Sequence, residues 1–163
     1  MPHPFCTAAA RNLQVTAERL AACIDMVEGD RLWVDFAPNL SSPGNLVLHL
    51  VGNLSQYVLR TLGGNPYLRE RAKEFSLKPG IDREALKAML RETVNQCIVI
   101  IGGLGEEDLL TIYTVQGNER SGYDILLQVS EHFSYHTGQF AWFCKYLFQG
   151  DIDFYRGRDL NIQ

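Results

Sequence analysis

The chain of 163 residues contains no apolar run near the ~20 residues a bilayer-spanning helix requires, so no membrane segment is expected. It has no excess of positive charge. Fifteen Lys+Arg stand against nineteen Asp+Glu, a net −4, so the electrostatic footprint that draws a protein to nucleic acid is missing. The four cysteines, Cys6, Cys23, Cys97 and Cys144, form no Cys-x-x-Cys pair and are too few for a disulfide scaffold. Cys23, Cys97 and Cys144 fall in apolar periodic segments, where a thiol acts as a small hydrophobe, while Cys6 carries no signal. No repeat, low-complexity tract or Pro/Gly/Ser-rich linker divides the sequence, so residues 1–163 are expected to form one domain. The opening Met-Pro-His-Pro-Phe-Cys lacks the charged-then-apolar pattern of a secretory signal, and a cytoplasmic location is expected. Gly-x-Ser-x-Gly, a P-loop, Gly-x-Gly-x-x-Gly and His-Glu-x-x-His are all absent.

What is present is helical periodicity. From Cys6 to about Val27, Leu13, Ala17, Leu20, Ile24 and Val27 recur by threes and fours, with Gly29 as a stop. A second segment opens at Ser42-Pro43, a hydroxyl cap followed by a proline whose missing N–H costs nothing there, and ends near Leu62 at Gly63-Gly64. A third starts after Asp82, carries Leu86, Met89, Leu90, Val94, Cys97, Ile98 and Ile101, and stops at Gly102-Gly103. The fourth begins at Ser121-Gly-Tyr-Asp124, a capping arrangement with aspartate in place of Glu or Gln. It carries Ile125, Val129, His132, His136, Phe140, Phe143 and Leu147 on one stripe, and Gly150 closes it.

Four such segments predict an all-α fold, a four-helix bundle. The link over 63–81 is long enough to return along the whole bundle, which leaves the second and third helices parallel. The link over 104–122 holds the β-branched run Leu109-Leu-Thr-Ile-Tyr-Thr-Val115, then Gln-Gly-Asn, and predicts a short hairpin or an extended arm.

Of four histidines, His3 lies in a Pro-flanked terminal stretch and is expected to be disordered. His132 and His136 are four apart on a helix, about 40° around the axis and about 6 Å along it, so both rings can face one ion. Spacing alone does not separate that reading from ordinary core histidines bonded to a carbonyl or hydroxyl. His49, Asn53 and Gln56 form a polar stripe on the second helix. By composition that stripe is a solvated face; the edge of a cleft is the other reading. Gln139 can reach back to His136 as a hydrogen-bond partner, or Gly138-Gln139 can serve helix packing. Glu131 is turned about 100° from His132 and reads as a surface charge, and Tyr57 and Tyr135 read as rim residues. No carboxylate precedes His132 by three or four, so the bridging ligands of di-iron bundles are missing.

Leu48-His49-Leu-Val-Gly52-Asn53, followed by Glu131-His132-Phe-Ser-Tyr-His136-Thr-Gly138-Gln139, resembles the DinB-like superfamily of metalloenzymes across essentially the whole chain. The resemblance implies an up-down-down-up bundle, often dimeric, with a divalent metal, zinc or nickel, held by His49, His132 and His136. A coordinated water would make the protein a hydrolase, and the resemblance also implies a thiol-dependent transferase or isomerase acting on a small molecule. Asn53 and Gln139 are the expected supporting residues around the ion. No residue names the substrate or a catalytic acid or base. The rival expectation is a non-enzymatic dimeric bundle whose metal is structural or adventitious, with the 109–116 arm crossing to a neighbour.

Overall fold

In the computed structural model, which describes residues 2–76, 80–148 and 152–162, the helices begin where their caps place them. Helix α1 (Pro4–Met26) is followed by a single tight turn, and α2 (Pro43–Leu54) starts with Ser42 accepting from the Asn45 amide. The α2 axis continues as a wider π-type helix to Leu62. That continuation buries Tyr57, Val58 and Leu59. A short helix α3 (Arg71–Ser76) lies in the long connection. Helix α4 (Arg83–Gly103) is capped by Asp82, α5 (Glu106–Leu110) is a single turn, and strands β1 (Ile112–Val115) and β2 (Asn118–Ser121) form an antiparallel hairpin. Helix α6 (Gly122–Phe148) begins with the reciprocal bonds of Ser121 and Asp124 at 3.1 Å each. The expected stop of this helix at Gly150 lies outside the described residues.

Contacts between helix ends fix the directions. Arg83 at the start of α4 donates to the carbonyls of Asp25 and Val27, while the Cys6 thiol faces the Leu104 carbonyl, so α1 and α4 are antiparallel. Phe5 packs on Tyr123 and the Cys144 thiol donates to the Cys23 carbonyl, so α1 and α6 are parallel. Trp33 ties the α2 start at Gly44 to Ile81, and Gly63 abuts Ile100, so α2 runs parallel to α4. The bundle is up-down-down-up, with the second connection returning along it.

One apolar cluster joins the four long helices, including Leu13, Leu20, Leu50, Leu90, Phe133 and Phe140. Each fully buried Leu or Phe contributes roughly 1.5–3 kcal/mol. All four cysteines are buried and free, and burial pushes the Cys97 thiol up to about 12, consistent with inert filler. Among the described residues no helix is long and apolar enough to cross a membrane.

One expectation changes, and one open alternative resolves. His3 is ordered: its ring accepts from the Phe5 amide as the α1 cap, and it meets Glu106 at 2.9 Å, beside the Tyr123 hydroxyl. A charged and a phenolic partner from two other elements tie down what composition reads as a loose end. Of the two readings of the 109–116 run, the hairpin is the one that forms. The first residues of the run are helical, and Gln116 and Gly117 turn the hairpin with φ of 50° and 75°. The tip then folds onto the π-type continuation of α2, where Tyr57 donates to Gln116 at 3.0 Å and Gln116 donates to Gln56 at 2.8 Å.

Candidate metal centre

His49, His132 and His136 come together, from α2 and α6. Each offers one ring nitrogen, and the three nitrogens lie within 4.8 Å of one another. Ring centroids are 5.0 Å apart for His49–His132, 5.2 Å for His49–His136 and 4.5 Å for His132–His136. A tetrahedral ion with bonds of about 2.0–2.1 Å spaces its ligands about 3.4 Å apart, so the set fits an ion after small side-chain adjustments.

The histidines do not sit on α6 as the periodicity suggests. Val129, Phe133 and Phe140 are buried around them on that helix, while His132 and His136 lie half-buried on its shoulder. The α2 stripe changes in the opposite sense. His49 and Asn53 are only 6% and 5% exposed, where composition reads a solvated face. Helix α3 and its flanking turn cover that side of α2.

The covering segment brings a carboxylate that the sequence analysis does not identify. Glu74 lies 2.9 Å from His49 Nδ1 and is gripped by Arg69 at 2.6 and 2.8 Å. A carboxylate only accepts, so His49 carries its proton on Nδ1 and presents the bare Nε2 toward the other two rings. Arg69 also approaches His49 Nδ1 at 3.2 Å, but two donors cannot bond each other. Its hydrogen bonds go to Glu74, to Gln56 Oε1 and to the His49 carbonyl.

Gly52 carried a signal for this contact. It follows His49 by three on the same helical face, and a Cβ there would collide with the Glu74 carboxylate. An interior helical Gly→Ala change ordinarily stabilises by roughly 0.5–1 kcal/mol. Here Gly52→Ala is expected to destabilise, by about 1–3 kcal/mol, because the displaced carboxylate and Arg69 cannot relax into solvent. A melting temperature at or above that of the parent chain contradicts this placement.

On the other helix, His136 Nδ1 lies 2.6 Å from Gln139 Oε1, and the Gln139 amide donates to Tyr135 at 3.0 Å. With the amide nitrogen on Tyr135, the Gln139 oxygen accepts from His136 Nδ1, which places that proton on Nδ1 and leaves Nε2 free. His132 Nε2 faces His49 Nε2 at 2.9 Å. Asn53 is buried one turn from His49 and does not line the cavity beside the histidines, whereas Gln139 does. Glu131 is exposed, Tyr57 is buried and bonded to the hairpin, and Tyr135 lies on the surface next to Gln139.

All three imidazoles resist protonation. Burial pushes His132 down to about 4, and the neighbouring rings of His136 and His49 and the charges of Arg69 and Arg71 add to the effect. Burial lowers His49 and His136 as well, partly opposed by the bonds to Glu74 and Gln139. The site therefore offers neutral rings at neutral pH, the form that binds metal. The unfolded chain takes up these protons below about pH 6.5 and the folded one does not. Metal-free protein is therefore expected to lose stability as pH falls from about 6.5 toward 5, above the range where ordinary carboxylates titrate. A urea midpoint that stays flat over that interval contradicts the assignment, and His132→Gln should reduce the pH dependence.

The histidines open on a cavity of about 780 Å³, within the size range of small-molecule sites. Its wall is largely apolar, with Leu40, Pro43, Leu46, Phe140, Trp142 and Phe143.

A family model described as "Protein of unknown function (DUF1572)" matches residues 2–155. The crystal structure of a DinB-like protein, YjoA, from Bacillus subtilis is similar with a TM-score of 0.70, at 17% identity over 93% of this chain and 99% of that one. At that identity the likeness is one of fold. No curated protein matches the chain.

Proposed function

The chain belongs to the family of unknown function DUF1572, and from that footing we propose that it is a mononuclear metalloenzyme acting on a small molecule, with His49, His132 and His136 as its protein ligands. The observation that carries the reading is the pairing of three convergent neutral imidazoles with an open, mostly apolar cavity on the same side. Three protein ligands leave a fourth position for water or substrate, the pattern of catalytic rather than structural sites. Imidazole donors suit zinc and nickel, the two ions we propose. A divalent ion there supplies Lewis acidity, lowering the pKa of whatever protic ligand fills its remaining position. Water in that role makes the protein a hydrolase, and a small thiol makes it a transferase.

The chain's own residues do the positioning. Glu74, braced by Arg69, holds His49 in one tautomer, Gln139 does the same for His136, and the apolar walls offer a surface for an apolar molecule. The DinB-like fold and the exposed, stacked pair Trp142–Tyr146 on α6 support a homodimer, and a sedimentation mass near 18.4 kDa contradicts that part.

Cobalt-loaded protein separates an enzyme from a structural metal site. Adding 2-mercaptoethanol or azide is expected to change the visible spectrum, because either ligand enters the open position. A spectrum indifferent to both means a closed site and overturns the enzymatic reading.

A further inference from the structure

We propose that the cavity beside the histidines receives an apolar small molecule carrying one anionic group, a carboxylate or a phosphate, and that Arg71 binds that group. The proposal rests on reading the cavity as the substrate site, and it does not depend on the ion.

Charge distribution is the first argument. The chain has more acidic than basic residues, yet no Asp or Glu lines this cavity, and Arg71 is the one Lys or Arg that does so among the described residues. A cation entering it would meet Arg71 with no compensating carboxylate. A neutral apolar molecule would leave the guanidinium donors to water.

The contrast between two arginines is the second. Arg69 has a side chain only 3% exposed, and its donors are taken by Glu74, Gln56 and the His49 carbonyl. Arg71, two residues on, meets no carboxylate among the described residues. Its guanidinium carbon sits 5.1 Å from the centre of the Phe75 ring. Stacking occupies the guanidinium face and leaves its edge, with paired N–H donors, free for a planar carboxylate or a phosphate.

Position is the third. Phe75 packs at 5.1 Å against His49, so Arg71, Phe75 and His49 step inward along one wall. Helix α3 thus carries the group that would anchor the molecule, the ring beneath it and, through Glu74, the support of His49. A molecule anchored at Arg71 lays its apolar part on Phe140, Phe143 and Trp142 while its reacting end lies by the histidines.

The test uses the whole chain, freed of metal with a chelator so that no anion can bind an ion instead. The probes are 4-phenylbutyrate, 4-phenylbutyl phosphate and neutral 4-phenylbutyramide, followed by Trp142 fluorescence with Trp142→Phe as the blank. At least one acid is expected to bind about tenfold or more tightly than the amide. The acid that binds better identifies the group. Arg71→Gln should bring the acids to the level of the amide, and Arg71→Lys should recover part of the difference. Arg71 is exposed on a short helix, so neither change opens the core. Equal binding of acids and amide, no binding of either acid, or unaltered acid binding by Arg71→Gln overturns the proposal. The variant His132→Ala/His136→Ala should still prefer the acid, so a failed metal reading and a failed anion reading give different results.

Discussion

Thermal denaturation of Glu74→Ala is expected roughly 6–12 °C below that of the parent chain, the shift that about 3 kcal/mol produces in a domain of this length. The side chains of Glu74 and Arg69 are only 9% and 3% exposed, and two short bonds join them. Removing the carboxylate leaves a guanidinium buried without its counter-charge, and leaves His49 Nδ1 without its acceptor. The value is taken at the low end of the buried-pair range because Gln56 and the His49 carbonyl still accept from Arg69. Taking both charges away is a different matter. Arg69→Met/Glu74→Leu should lose less than the single change, since no unpaired ion remains. A single variant that melts with the parent means that the pair does not brace His49.

Metal content gives the second large effect. His132→Ala/His136→Ala removes two of the three convergent nitrogens, and the purified variant should fall from about one ion per chain to almost none. Gln139→Leu is the graded counterpart. It leaves every ligand in place, removes only the partner of His136 Nδ1, and should weaken binding by about 10–100-fold. Equal metal in the parent and the double variant refutes the site. A Gln139→Leu protein that binds as tightly as the parent refutes only the orienting role of that amide.

Much of this architecture was readable because it is encoded locally. Ser42-Pro43, Asp82 and the Ser121–Asp124 pair cap their helices by bonds within a few residues, and Gln116-Gly117 turns the hairpin by backbone preference. The histidines on α6 were legible for the same reason, since i and i+4 share a face on any helix. What escaped depends on tertiary placement. Glu74, Arg69 and Arg71 come from or beside a helix of six residues, too short for periodicity to show, within a connection read only for its length. Once that helix covers α2, the stripe of His49 and Asn53 becomes interior, which no composition argument anticipates. The widened turn after Leu54 was illegible too, because Leu54, Val58 and Leu62 keep the ordinary helical spacing and nothing in it marks the change from α to π bonding.

X-ray absorption on zinc-loaded protein tests the central claim most directly. Three convergent histidines predict a first shell of three imidazole nitrogens and one exchangeable oxygen at about 2.0–2.1 Å, with imidazole outer-shell scattering that falls in His49→Ala. In thiol-free buffer, a shell containing sulfur at about 2.3 Å, or one unchanged when residue 49 is altered, contradicts the account.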